Sequence, residues 1–376
     1  MAIKPIEFYD HLVKHSVEFF TGVPDSLLKH FCFCIDDNIP KERHIIAANE
    51  GNAIALAAGY HLATGKLPLV YMQNSGLGNA VNPLLSLCDP EVYSIPMLIL
   101  IGWRGEPDIN DEPQHAKQGK IQLDLLNTMD IPYVIISKEE KYLERKITSS
   151  IKGSIKENRP FAIIVKKGAF EPHRSTSVKS VDSLLSRESS LKIILKYIPD
   201  NSIIISTTGK TSREIFEIRE KNNHPHYLDF LTVGSMGHCS SIALGIAIAR
   251  PREKVVCIDG DGSLIMHMGS LSTVGKLQPK NYYHILINNY VHESVGGQET
   301  SAKNIDIQQL VKSNGYKNVI SLNNTNRLIN EIKDCFLLDG PLFMELKVKP
   351  GSRKNLGRPT LTPIENKLAF MKFLRS

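Results

Sequence analysis

Lys254-Val255-Val256-Cys257-Ile258 reads as a short buried strand that runs straight into Asp259-Gly260-Asp261-Gly262-Ser263. The next apolar run, Tyr283 to Ile287, leads in the same way into Asn288-Asn289. Both polar clusters therefore fall at the carboxyl edge of one sheet, where α/β folds bind their ligands. Asp261 offers a carboxylate and Asn289 an amide oxygen, both hard donors. Gly260 and Gly262 let the backbone approach a phosphate closely, which suits Mg²⁺ held partly by the oxygens of a bound diphosphate. Taken singly, Gly-Asp-Gly also makes a tight turn and Asn-Asn also ends a strand; their joint placement favours the site.

Other phosphate and metal signatures fail. An EF-hand loop needs glycine where Leu264 stands, and a phosphate loop ending at Gly209-Lys210-Thr211 needs glycine where Ile204 stands. The dinucleotide fingerprint breaks at Val81, after Gly76-Leu77-Gly78.

Similar apolar runs recur along the chain at Ile45 to Ala47, Pro68 to Met72, Pro96 to Ile101, Tyr133 to Ile136, Phe161 to Val165, Ser202 to Ser206 and Leu342 to Val348. Helix-like stretches separate them, a pattern that predicts parallel sheets covered on both faces. Polar, serine-rich sequence around Lys166 to Ser190 interrupts the alternation. The expected organisation is thus two doubly wound α/β domains, residues 1–167 and 190–376, joined by a linker at 168–189. A basic tail, Lys349 to Arg358, precedes a last helix near Glu365 to Leu374.

The 376 residues suit two domains at roughly 100–200 residues each. With 45 basic against 39 acidic residues the net charge is only +6 over a long chain and few aromatics stand beside the Lys and Arg, so no nucleic-acid partner is expected. Apolar content of 42% and charged content of 22% exclude a disordered or collagen-like chain. Six cysteines without zinc-type spacing read as reduced, mostly buried thiols. Charged residues break up the first twenty positions, and no run reaches the roughly 18 apolar residues a membrane span needs. A cytoplasmic protein without membrane association is expected.

The motif pair resembles that of the thiamine diphosphate-dependent decarboxylases. Asn49-Glu50-Gly51-Asn52-Ala53 resembles the segment whose glutamate hydrogen-bonds the cofactor's aminopyrimidine, a role implying a partly buried carboxylate that shares a proton with a ring nitrogen. Gly234-Ser235-Met236-Gly237 resembles the turn that bends the cofactor, with Met236 wedged between its rings and the Gly234 carbonyl accepting from its amine. By the same resemblance Thr208, Gly209, Gly260, Gly262 and Ser263 would grip the diphosphate, Gly76 would line the cofactor, and the Val291 carbonyl would join Asp261 and Asn289 on Mg²⁺. The fold implied is a pyrimidine-type domain followed by a diphosphate-type domain with no central domain. Active sites would lie between subunits of a homodimer or higher oligomer.

Thr21 to Ser26, Met72 to Asn79, Ile101 to Pro107, Asp111 to His115, His292 to Gly297 and Gly357 to Thr360 extend the resemblance to the short subgroup acting on phosphono- or sulfopyruvate. It implies decarboxylation of 3-phosphonopyruvate to phosphonoacetaldehyde and CO₂ within phosphonate biosynthesis. Sulfopyruvate decarboxylation, acetolactate synthase-like carboligation and a non-catalytic subunit are the alternatives. Asp25 and His115 are the candidates for proton transfer near the reacting carbon, although Asp25 also reads as a helix cap and His115 as a polar loop residue. The chain has one histidine there rather than an adjacent pair, and Val295 stands where some relatives carry a catalytic glutamate. Arg104, His292, Arg353 and Arg358, with Lys117 and Lys120, are the candidates for the phosphonate.

Overall fold

A computed structural model of the chain describes residues 2–173, 184–322 and 325–375. The chain divides into two compact units, residues 1–178 with 295–298, and residues 179–294 with 299–376. Part of the anticipated linker, 174–183, lies outside the described residues.

The first unit holds six strands: β1 (Phe20–Gly22), β2 (His44–Ile46), β3 (Leu69–Gln73), β4 (Leu98–Gly102), β5 (Tyr133–Ile136) and β6 (Phe161–Val165). They form one parallel sheet in the order β2-β1-β3-β4-β6-β5. Successive side chains of a strand point to opposite faces, so β3 and β4 feed two cores. Leu69, Tyr71, Leu98 and Leu100 enter one, and Val70, Met72, Ile99 and Ile101 enter the other. This double burial is why these strands read as unbroken apolar runs, and each buried Leu or Ile contributes roughly 1.5–3 kcal/mol.

The second unit repeats the plan with β7 (Ile203–Ser206), β8 (Asp229–Leu231), β9 (Val255–Gly260), β10 (Tyr282–Asn288), β11 (Asn318–Leu322) and β12 (Leu342–Lys347). Its parallel order is β11-β12-β10-β9-β7-β8. Neither β8 nor β11 is announced by an apolar run. Both are edge strands; β8 spans three residues, and β11 is only half-buried until Leu322. The first helix of this unit, Arg187–Tyr197, starts ahead of residue 190 because the Ser186 side chain caps it by accepting from the Ser189 N–H. The final helix spans Pro363–Arg375.

Each sheet has a point where the chain, having gone one way, returns on the other side of its first strand. In the first unit this lies between β1 and β3, and in the second between β7 and β9. The loops at those carboxyl ends diverge and leave a crevice. Among the described residues no helix is long and apolar enough to cross a membrane.

Candidate active site

In the first unit Glu50 opens the helix Glu50–Thr64, whose cap is Asn49, its side chain accepting from the Asn52 N–H. Glu50 is buried. Asn79 Nδ2 donates to its Oε2 at 2.8 Å, which fixes the carboxylate plane. A Cβ added at Gly76 would lie 2.4 Å from Glu50 Oε1, so only glycine allows the carboxylate to stand where it does.

Asp25 follows β1 and is fully buried. Its Oδ2 accepts the Leu27 N–H at 3.0 Å, whereas Oδ1 has no hydrogen-bond partner among the described residues. Burial pushes its pKa up to about 6, against the Leu27 N–H and the charge of Arg104. The helix after it begins only at Lys29 with Leu28 in the cap position, so Asp25 closes a local turn and does not cap the helix.

His115 was expected in a loop, but Pro113 starts a helix, Pro113–Thr128, and places His115 buried in its first turn. His115 Nδ1 lies 2.9 Å from Asp111 Oδ1. Asp111 is also paired in a fork with Arg104, whose Nε donates to Oδ2 at 2.7 Å and whose Nη2 donates to Oδ1, and it accepts from the Gly105 and Glu112 N–H groups. Burial alone would raise Asp111, but Arg104, His115 and the two N–H groups outweigh it and hold the carboxyl below the ordinary carboxylate range. Burial lowers His115, with Asp111 opposing. A neutral ring beside an ionised carboxylate carries its proton on Nδ1 and leaves the Nε2 lone pair available, 3.4 Å from Gln73 Nε2. Arg104 completes its contacts by donating to Ser26 Oγ at 2.7 Å.

In the second unit β9 runs through Gly260 into the short helix Asp261–Met266, so Gly-Asp-Gly forms a strand-to-helix junction. Asp261 is buried, and burial pushes it up to about 6. The groups that most oppose burial are neutral, namely the Thr300 hydroxyl, which donates at 2.5 Å, and backbone N–H groups of Asp261, Asn289 and Gly262. A buried carboxylate so placed is a ready partner for a cation. Asn289 Nδ2 donates to Glu293 Oε2 at 2.9 Å, and its Oδ1 accepts the Val291 N–H at 3.1 Å. The Val291 carbonyl accepts from Glu293 N–H and keeps a second lone pair. A side chain at Gly260 would meet nothing of the chain nearer than 3.8 Å, so the fold itself leaves room there for a ligand.

The 234–237 turn has three residues in the left-handed region, Gly234 at φ 74°, Ser235 at 48° and Gly237 at 89°. Thr208 Oγ1 accepts the Gly234 N–H and Ser263 Oγ accepts the Gly237 N–H, so both hydroxyls pin the turn and retain their own protons for donation. Gly209 turns at φ 91° to open the helix Lys210–Lys221. Met236 and His292 converge on Gly262, where a Cβ would lie 3.2 Å from Met236 Cε and 3.0 Å from the His292 ring. Burial pushes His292 down to about 4.

Among the cationic candidates of the first unit, Arg104 stands with Asp25 and His115 through Ser26 and Asp111. Arg353 is held by Glu188, Asn355 and Glu217, and Arg358, Lys117 and Lys120 are exposed. Sequence reading missed Asn79, Asp111, Thr300 and Glu293 as partners of the site. Asn79, Asp111 and Glu293 fall inside motif stretches, but nothing along the chain marks Thr300 as facing Asp261.

The pattern described as the thiamine pyrophosphate enzyme N-terminal TPP binding domain matches residues 7–128, and the corresponding C-terminal TPP binding domain matches residues 207–346. The chain is 34% identical over 368 residues to phosphonopyruvate decarboxylase of Streptomyces viridochromogenes, covering 94% of this chain and 90% of that one. Identity to the phosphonopyruvate decarboxylase of Streptomyces hygroscopicus is 33% over 346 residues, covering 88% and 84%. A sulfopyruvate decarboxylase of Methanosarcina acetivorans is 27% identical over 377 residues, covering 93% of each chain. Two parallel α/β units, each matching one of the two domains in order and with the matched relatives spanning both, place the chain in the thiamine pyrophosphate enzyme family, as a decarboxylase.

Proposed function

We propose that this chain decarboxylates 3-phosphonopyruvate to phosphonoacetaldehyde and CO₂, using thiamine diphosphate and Mg²⁺. The observation that carries the reading is the similarity to two phosphonopyruvate decarboxylases along most of the chain. When bound, thiamine diphosphate supplies the electron sink that a 2-oxo acid needs to lose CO₂.

The residues fit the group. Asp261, Asn289 and the Val291 carbonyl are hard oxygen donors at one sheet edge and would hold Mg²⁺. Thr208 and Ser263, with the backbone at Gly209, Gly260 and Gly262, would donate to the diphosphate. The Gly234 carbonyl and Met236 would set the bend. Glu50, held by Asn79 and given room by Gly76, would exchange a proton with a pyrimidine nitrogen.

Proton handling near the substrate falls to Asp25 and His115. Asp25, raised to about 6, can hold a proton near neutral pH, and His115 can take one at Nε2 while Asp111 steadies the ring. Arg104, with its guanidinium plane set by Asp111, is the cation best placed beside these groups for the phosphonate, with His292, Arg353 and Arg358 as the remaining candidates. The enzyme is proposed to act in the cytoplasm in phosphonate biosynthesis, as a homodimer or larger assembly in which Glu50 of one subunit meets the cofactor held by another.

Sulfopyruvate is the second reading, favoured by the 27% identity to a sulfopyruvate decarboxylase. The deciding experiment measures CO₂ release from phosphonopyruvate, sulfopyruvate and pyruvate in parallel, with and without each cofactor. Highest kcat/KM on phosphonopyruvate, abolished without thiamine diphosphate or Mg²⁺, is expected. Preference for sulfopyruvate would replace the substrate, and release independent of the cofactors would refute the mechanism.

A further inference from the structure

On the face of the second sheet turned away from the main apolar core, three fully buried side chains with lone pairs suited to a metal, Cys239, Cys257 and Asp259, meet, and a fourth, His284, lies against Asp259. Alternation along β9 sends Val256 and Ile258 into the core and turns Cys257 and Asp259 to the other side. On β10, His284 shares that side, and the register sets it directly beside Cys257. Cys239, the first residue of the helix Cys239–Ala249, closes the group from above the sheet.

Cys239 Sγ and Cys257 Sγ are 3.9 Å apart, and His284 Nε2 and Asp259 Oδ2 are 3.4 Å apart. The two sulfurs and an Asp259 oxygen all lie within 4.8 Å of one another. Ligands around a tetrahedral zinc ion, at roughly 2.3 Å for sulfur and 2.0–2.1 Å for nitrogen or oxygen, stand roughly 3.3–3.8 Å apart. The outer atoms are already engaged. His284 Nδ1 faces the Tyr316 hydroxyl at 3.3 Å, and Asp259 Oδ1 accepts the Gly260 N–H at 2.8 Å. That leaves Nε2 and Oδ2 turned toward each other, and neither has a hydrogen-bond partner among the described residues. Second partners on the outer atoms are what orient a metal-binding histidine and carboxylate.

The geometry points to a buried structural site for a thiolate-binding divalent cation of the zinc type, formed by Cys239, Cys257, Asp259 and His284. Two sulfurs exclude Mg²⁺ as its occupant and separate this site from the hard-oxygen site at Asp261. Binding displaces the thiol protons and any proton on His284, with no change of oxidation state. The ion would tie the helix that follows the 234–237 turn to the two strands whose ends carry Asp261 and Asn289. The competing occupant is a proton: burial favours a neutral His284, but Cys257 and Asp259 override it and drive the ring up to about 10.

The test uses the full chain purified from zinc-supplemented cells, dialysed against EDTA and analysed for metals by mass spectrometry. Zinc stoichiometric with protein, released only when a mercurial modifies the thiols, is expected. In Cys257→Ser and His284→Gln it should fall to background. Protein grown on cobalt should show a thiolate-to-cobalt charge-transfer band, and this spectrum decides by itself if the variants do not fold. Background zinc together with an absent cobalt band would overturn the site in favour of the proton, and undiminished zinc in both variants would overturn the ligand assignment.

Discussion

Replacing Asp25 by Asn should stabilise the protein while disabling it. The carboxyl is fully buried, one oxygen lacks a partner among the described residues, and the folded state prefers the neutral acid. Its folded pKa of about 6 stands above the unfolded value of 3.8. Below the unfolded value both states are protonated and there is no cost. As pH rises from there to about 6 the unfolded chain loses its proton first, so stability falls; above about 6 the loss is complete. The difference of about two pH units corresponds to about 3 kcal/mol. Asn keeps an oxygen for the Leu27 N–H and carries no charge, so above pH 6 Asp25→Asn should recover up to about 3 kcal/mol, less any cost of its newly buried amide. At roughly 2–4 °C per kcal/mol the thermal midpoint should rise by up to roughly 6–12 °C. Unfolding followed from pH 4 to pH 8 provides the assay. The gap between variant and wild type should open between pH 4 and 6 and then level off, while turnover falls at least about 100-fold. A gap independent of pH, or a variant less stable at pH 8 than the wild type, would refute the reasoning.

Further outcomes are expected. Glu50→Gln should retain the cofactor yet lose turnover by about 10²–10⁴, as measured by CO₂ release alongside binding titration; near-normal turnover would remove Glu50 from the proposed mechanism. Gly76→Ala should push the Glu50 carboxylate from its place, costing about 1–3 kcal/mol in denaturant unfolding and most of the activity. Asp111→Ala leaves Arg104 without its forked partner and frees the His115 ring, so about 3–5 kcal/mol of stability should be lost, whereas loss below 1 kcal/mol would mean the pair is solvent-screened. Asp261→Ala should abolish Mg²⁺-dependent retention of thiamine diphosphate in calorimetry, and unchanged affinity would refute the assignment of Asp261 to the metal.

Local sequence determined a good deal about this protein. Strands buried on both faces, such as Leu69–Gln73 and Leu98–Gly102, are apolar at nearly every position, so the chain announces them. The proposed cofactor motifs are legible too, because Gly-Asp-Gly and Asn-Asn, each at a strand end, point to a phosphate and metal site by their joint placement. The two edge strands of the second sheet, Asp229–Leu231 and Asn318–Leu322, escaped notice because pairing on one side relaxes the demand for a long apolar run. Only tertiary structure decided the relations between distant positions. Proline at the helix start turned His115 from a loop residue into a buried ring facing Asp111, and folding brought Thr300 onto Asp261. The cysteines make the same point. Cys239 and Cys257 have no metal-type spacing along the chain, yet strand register and alternation set Cys257 beside His284 and on the same face as Asp259, and the packing of a helix start brings Cys239 onto them. Contacts of that kind depend on sheet order and register, which are set by packing across the whole unit and leave no periodic trace in any single segment.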